Sequence, residues 1–112
     1  MIITNLTTGK TLADKAVLAD TSWARMKGLL GRKALGDGEG LVITRCCSVH
    51  MLFMRFPIDA IFIDRRGCVV GLVERIRPFA FSPVFWKAAA AIELPAGTIA
   101  RTGVLLAHRI KI

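Results

Sequence analysis

The polar residues best placed to do chemistry lie in the most apolar part of the chain, the run CCSVHMLFMRFPIDAIFID at residues 46–64. His50, Arg55 and Asp59 are all within this run. A polar side chain in such surroundings needs either a hydrogen-bonding partner or a function, because burial without a partner is costly. We therefore take His50, Arg55 and Asp59 as candidate ligand-binding residues, and the sequence assigns no catalytic residue.

Asp59 precedes the apolar residues AIFI and follows Pro57 and Ile58. The preferred interpretation is structural: the carboxylate accepts hydrogen bonds from backbone N–H groups of a neighbouring loop, or pairs with Arg55. Pro57 has no N–H, so we expect the strand ladder to be interrupted there and Asp59 to be held near one end of the sheet. The alternative is a carboxylate that acts as a ligand or general base. A concave pocket around Asp59 would favour that alternative.

The three cysteines, Cys46, Cys47 and Cys68, indicate reduced thiols, since their number is odd. Adjacent cysteines point to opposite faces of a strand, and there is no Cys-x-x-Cys pair, so the sequence predicts no metal site and no cofactor. Cys68, within CVVGLV, is interpreted as a small buried residue. A nucleophilic cysteine would need a thiolate beside a base, for which His50 is the candidate. Otherwise His50 is a structural residue.

The length of 112 residues is typical of one domain, which we assign to residues 1–112, and 54% of the residues are hydrophobic. No apolar run reaches the roughly 20 residues that a membrane span requires. The first ten residues, MIITNLTTGK, lack the basic and apolar segments of an export signal. The expected location is therefore the cytoplasm.

The chain is strongly basic, with 16 Lys and Arg residues against 8 Asp and Glu and a formal charge of +8. Such a balance favours an anionic partner: nucleic acid, an acidic membrane surface or a small anion. The densest basic group is Arg65, Arg66, Arg75 and Arg77, around one predicted hairpin. Because no motif that reads bases is present, sequence-specific recognition of nucleic acid is not expected. The oligomeric state is left open.

The hydrophobic pattern predicts an α+β domain: a mainly antiparallel curled sheet or small β-barrel with two short helices. The turn DRRG before Cys68 is typical of a hairpin, with Gly67 in the left-handed position. Trp23, Met26, Met54 and Phe62 are predicted to be core residues. The predicted strands are 2–8, 15–20 pairing back on the first, 41–45, 58–64, 68–77, 88–94 and 104–112, and the predicted helices are 21–31 and 95–103.

The segment PFAFSPVFWK, bracketed by Pro78 and Pro83, has no regular period. Its aromatic residues Phe85 and Trp86 either cover one end of the sheet, which is the preferred interpretation, or form an exposed partner surface.

Three motifs occur in order along the chain: RMKGLLGR, HMLFMRFPIDAIFID and IELPAGTIARTGV. Together they resemble the prokaryotic family catalogued as domain of unknown function 192. The central motif of that family is matched by Phe53–Arg55 and Pro57–Asp59, and its late motif by Glu93–Gly97, followed by Ala100, Arg101 and Gly103. Relatives usually have Gly-Asp before the last strand, where this chain has Ala107 and His108.

The resemblance implies a small, mostly β fold with short helices and no established activity. It also implies that some relatives work outside the cytoplasm. Two hypotheses about function remain. The preferred one is a small basic domain that binds an anionic ligand or macromolecule. The alternative is a small enzyme that uses Asp59 with Arg55 or His50.

Overall fold

The computed structural model describes all residues, 1–112, as an α+β arrangement of eight strands and two helices. Every element is short, in keeping with a chain interrupted by ten glycines and four prolines. The elements are β1 (Ile3–Asn5), β2 (Thr11–Ala13), β3 (Lys15–Ala19), α1 (Ser22–Lys27), β4 (Glu39–Thr44), β5 (Ile58–Ile63), β6 (Val69–Ile76), β7 (Ala90–Pro95), α2 (Thr98–Thr102) and β8 (Ile110–Lys111).

The strands form two open sheets. The smaller sheet has the order β2-β1-β8 and the larger one the order β3-β4-β7-β5-β6. Of these pairings only β3 with β4 is parallel, so the expectation of a mainly antiparallel α+β fold is confirmed. The β5–β6 hairpin is also confirmed, and Gly67 in its turn has a φ of 85°, the left-handed conformation that suits glycine.

The larger sheet is covered by apolar residues on both of its faces, which explains why β5 and β7 read as nearly continuous hydrophobic runs. Strand β7 is central, between β4 and β5. One face carries Ile61, Ile92 and Leu94 and packs towards the smaller sheet and α2. The opposite face carries Leu41, Ala60 and Phe62, and the apolar residues of segment 46–56 and of the chain around α1 cover it.

Trp23 and Met26 are not core residues, contrary to the prediction: their exposed fractions are 72% and 71%. The predicted helix 21–31 is shorter than its apolar spacing indicated. Helix α1 ends at Gly28, with a φ of 49°, so Leu29 is buried from the turn that follows and the helix faces solvent. Met54 and Phe62, which were also predicted to be core residues, are buried.

Three strand and helix predictions need correction. Strand β3 pairs in parallel with β4 and not with the first strand, whose partners are β2 and β8. Pro95 ends β7 and does not start α2, because its missing N–H is tolerated at the end of a strand. The last strand covers only Ile110–Lys111, since residues 104–108 run as turns and irregular chain and Arg109 forms only an isolated bridge with Cys68.

The two aromatic residues of the irregular segment behave differently. Phe85 packs over Gly71, whose missing Cβ leaves room for the ring, and its centroid lies 4.6 Å from that of Phe62. It therefore helps to cover the sheet. Trp86 points outward with 86% of its surface exposed. The prediction that both residues cover the sheet is therefore met by Phe85 and not by Trp86. Cys68, predicted to be buried, is only half-buried.

Candidate functional site

Asp59 is completely buried and both of its carboxylate oxygens accept a hydrogen bond from a backbone N–H. Oδ1 accepts from Arg75 at 2.9 Å and Oδ2 from Ile99 at 2.8 Å. Ile99 lies at the start of α2, whose preceding residue, Gly97, offers no side chain to cap the helix. The carboxylate therefore supplies the cap from a neighbouring strand.

A β-bulge explains how the second N–H reaches Asp59. Ile58 pairs with Ile76 and Ala60 with Val73, so two residues of β6 stand opposite Asp59 alone. The extra residue turns the N–H of Arg75 out of the ladder and towards the carboxylate. Asp59 is thus held at the start of β5 by backbone groups, and its geometry matches the structural interpretation.

Arg55 and His50 do not join Asp59. Arg55 is exposed and forms no hydrogen bond or ion pair with the carboxylate; the one salt bridge of the chain joins Arg32 and Glu39. His50 is exposed and pairs with Phe81 in an isolated bridge. The structure therefore separates the three sequence-predicted residues.

A different carboxylate, Glu93, shares a cavity with His50. Glu93 lies on β7, opposite Leu41 of β4 and Ala60 of β5, so its side chain shares the sheet face of those two residues. Asp59, opposite Leu94, belongs to the other face. Only 7% of Glu93 is exposed, and its carboxyl group forms no hydrogen bond or ion pair within the protein.

The Glu93 cavity has a volume of about 120 Å³ and lies between the sheet, α1 and segment 46–54. Arg25 ties α1 to the end of β4: its Nε donates to the carbonyl of Thr44 at 2.7 Å, and its Nη2 to that of Arg45 at 2.7 Å. These bonds fix the helix above the cavity. The cavity is lined by Arg25, Met26, Lys27, Gly28, Leu29, Leu30, Ile43, Cys46, Ser48, Val49, His50, Met54 and Glu93.

Burial changes the acid–base properties of this cavity. Desolvation raises the pKa of Glu93 from 4.5 to about 7, because the ionised carboxylate has lost water without gaining a partner. Desolvation also raises the pKa of the Cys46 thiol, with a smaller contribution from the charge of Glu93. Cys46 Sγ donates to the carbonyl of Ser48 at 3.0 Å. A raised thiol pKa disfavours the thiolate that nucleophilic catalysis would need.

The sequence interpretation missed Glu93 as a site residue, although its signal was the same as for Asp59. In AAAAIELP it is the one ionisable residue of an apolar run. The sequence interpretation named Glu93 only as the first residue of the late family motif, Glu93–Gly97. No group of three His, Cys, Asp or Glu side chains has the arrangement of a metal site.

A second concave surface lies at the end of the sheet where β4 and β5 finish and β7 begins. We call it the basic groove; its volume is about 590 Å³. Its only acidic residue, Asp64, is engaged in the hairpin turn, where Oδ1 accepts from the N–H groups of Arg66 at 2.8 Å and Cys68 at 3.0 Å. The groove is lined by Arg45, Asp64, Arg65, Arg66, Trp86, Lys87, Ala88 and Ala89.

None of the helices is both long and apolar enough to cross a membrane.

Comparison with known proteins identifies the family. The profile of the DUF192 family, described as "Uncharacterized ACR", matches residues 3–112, so the chain belongs to that family and the resemblance is confirmed. A UPF0127 protein of Thermococcus sibiricus is 34% identical over 102 aligned residues, and the match covers 88% of this chain. The chain spans 66% of that relative's length.

Two solved structures share the fold. One is a protein of unknown function from Novosphingobium aromaticivorans, with a TM-score of 0.85 and 25% identity, covering 99% of this chain and 82% of that one. The other, from Sinorhizobium meliloti, is described as a putative transcription regulator; its TM-score is 0.83 at 26% identity, covering 98% and 89% of the two chains.

Proposed function

We propose that this member of the DUF192 family is a binding domain for an anionic macromolecule, and that the partner is single-stranded nucleic acid bound in the basic groove without sequence specificity. The observation that carries the proposal is the position of Trp86. With 86% of its surface exposed, it stands among Arg45, Arg65, Arg66 and Lys87 around one concave surface. The proposal takes residues 1–112 as one domain that acts in the cytoplasm.

Cations and an exposed aromatic ring together fit a single strand better than a duplex or a small anion. Proteins that bind single strands combine a positive groove along the phosphates with aromatic side chains on which bases stack. A tryptophan ring gains nothing from a lone phosphate, and duplex bases are already stacked on one another. The description of the Sinorhizobium meliloti relative is compatible with such a partner.

The charge distribution supports the same surface. The carboxylate of Asp64 accepts two backbone hydrogen bonds in the turn, so it is directed into the hairpin. Four cationic side chains and only this one acidic side chain line the groove. A net charge of +8 adds long-range attraction for any polyanion, which is why the test below must separate the groove from the charge of the whole chain.

The test measures binding of a labelled oligothymidylate of about 12 nucleotides by fluorescence anisotropy over a range of salt concentrations. Arg65→Ala with Arg66→Ala should weaken binding roughly tenfold or more and reduce the slope of log affinity against log salt by about 1.4, for two lost phosphate contacts. The matched control is Arg55→Ala with Arg77→Ala, which removes the same charge from exposed positions outside the groove. Equal weakening by both pairs would overturn the groove as the site.

Stacking is tested by Trp86→Ala, which should weaken binding roughly 5- to 100-fold, as expected for a loss of about 1–3 kcal/mol per stacked base. Trp23→Ala is the control, because Trp23 is also exposed, at 72%, and does not line the groove. If the two substitutions have the same effect, base stacking on Trp86 is refuted. Tight binding of one base sequence alone at physiological salt would contradict the lack of specificity.

A further inference from the structure

Glu93 is a largely buried residue whose carboxyl oxygens reach solvent through a cavity and have no partner within the protein. Buried charges in proteins are paired, and buried polar atoms are nearly always hydrogen-bonded. Glu93 is 93% buried, has no hydrogen bond or ion pair within the protein, and its oxygens face the cavity between the sheet and α1. The carboxyl group is therefore largely desolvated without a partner from the protein, and a cationic donor bound in the cavity would offset that cost.

The size and walls of the Glu93 cavity limit what that partner is. An engineered apolar cavity of about 150 Å³ holds benzene, so about 120 Å³ accommodates roughly five or six non-hydrogen atoms. Leu29, Ile43, Val49 and Met54 give apolar walls, which favour a short hydrocarbon segment. The ligand is thus a small molecule with an apolar middle.

The two ends of the cavity have opposite charge. The floor carries the Glu93 carboxyl group, which as a carboxylate accepts hydrogen bonds only and binds a cationic donor most strongly. The rim carries the exposed residues Lys27 and His50 and the half-buried Arg25. The charges of Lys27 and Arg25 would repel a simple cation but would attract the anionic end of a molecule whose cationic end lies inside.

We propose that the Glu93 cavity binds a small amino-carboxylate in which a short aliphatic chain separates a primary ammonium from a carboxylate. The ammonium donates to Glu93 at the floor, the methylene groups contact the apolar wall, and the carboxylate lies at the rim near Lys27 and Arg25. This site shares no lining residue with the basic groove, and either proposal can stand without the other.

Isothermal titration calorimetry with three probes tests the charge at each end. γ-Aminobutyrate has both charged groups, n-butylamine lacks the carboxylate, and butyrate lacks the ammonium. The expected result is that γ-aminobutyrate binds roughly tenfold or more tightly than either of the other two. Equal or tighter binding of butyrate or of n-butylamine would overturn the proposal, and so would binding of none of the three.

Substitutions then assign the probe to the cavity. Glu93→Gln keeps the shape and removes the charge, and it should weaken γ-aminobutyrate roughly tenfold or more. Lys27→Gln should weaken it less, because its flexible chain is exposed. Glu74→Gln is the matched control on an exposed position of β6 outside the cavity and should bind as the parent does. Parent-like binding by Glu93→Gln would overturn the assignment.

Cysteine protection gives a second readout that needs no substitution. Cys46 lines the cavity and Cys68 does not. Bound γ-aminobutyrate should slow alkylation of Cys46 by iodoacetamide, mapped by peptide mass spectrometry, and leave the rate at Cys68 unchanged. An unchanged rate at Cys46 under saturating γ-aminobutyrate would refute binding in the cavity.

Discussion

Asp59 and Glu93 lie on neighbouring strands of one sheet, on its two opposite faces, and both are buried, with exposed fractions of 0% and 7%. The surroundings of the two carboxyl groups differ. Asp59 accepts the N–H groups of Arg75 and Ile99. Glu93 accepts no hydrogen bond from the protein and faces a cavity.

The difference shows that burial does not by itself decide what a carboxylate does. Free backbone N–H groups reach Asp59 because a bulge in β6 and the start of α2 meet at the start of β5. Above Glu93 the covering elements, α1 and segment 46–54, present mainly apolar side chains and leave a cavity. The Asp59 carboxylate therefore connects β5, β6 and α2 through hydrogen bonds. The Glu93 carboxyl group lowers the stability of the fold and lines a cavity.

The largest expected effect is that of Asp59→Ala. The substitution leaves two N–H donors without an acceptor, the buried one of Ile99 and the part-buried one of Arg75, at about 1–3 kcal/mol each, so the free energy of unfolding should fall by roughly 4 kcal/mol. Asp59→Asn keeps one acceptor oxygen and should lose less. Urea denaturation at pH 7 measures both, with the exposed Asp37→Ala as control. An unchanged unfolding midpoint for Asp59→Ala would refute the structural role.

The second largest effect is a pH dependence of the free energy of unfolding, which we attribute to the Glu93 carboxyl group. Its pKa is raised from 4.5 to about 7, so between these values the folded state binds more protons than the unfolded state, and stability falls as pH rises. A shift of this size corresponds to on the order of 3 kcal/mol, lost in full above pH 7. Glu93→Gln removes the titrating group.

Urea denaturation of the parent and of Glu93→Gln at pH 5 and pH 8 tests this prediction, because all other titrating groups cancel in the difference. The free energy of unfolding of Glu93→Gln, relative to that of the parent, should be higher at pH 8 than at pH 5. The same difference at both pH values would mean that the carboxyl group has found a partner in the folded state.

The smallest effect is expected at a third carboxylate, Glu39, which is partly exposed to solvent. Its pKa is lowered by the hydrogen bond from the N–H of Gly36, at 2.7 Å, and by Arg32, whose Nη2 lies 3.0 Å from Oε2. Glu39→Gln should therefore lose stability slightly at pH 7, and the loss should shrink as pH falls or salt rises. A change as large as that of Asp59→Ala would break the distinction between exposed and buried carboxylates.

Much of the fold could be predicted from local pattern. The β5–β6 hairpin followed from two apolar runs around DRRG, and the turn glycine adopts the expected conformation. Trp23 and Met26 were misassigned because helical spacing indicates a common face but not which way that face points. The parallel pairing of β3 with β4 depends on contacts distant in sequence, which periodicity does not contain.

The candidate site was predicted only in part. Asp59 was singled out correctly as a residue that must be hydrogen-bonded, and the first of its proposed partners, backbone N–H groups, is the one the fold provides. Glu93 carried the same signal, one acid in an apolar run, but lay in a strand without a neighbouring basic residue to draw attention to it.

The sequence by itself determined that two acids would lie in buried strands, since IDAIFI and AAIELP have no other place in a folded chain of this size. It also determined the basic character that favours an anionic partner. Only the tertiary structure decided which acid is satisfied, because that depends on which backbone N–H groups other elements bring within about 3 Å. A bulge and a helix start reach one face of the sheet, and a cavity remains on the other.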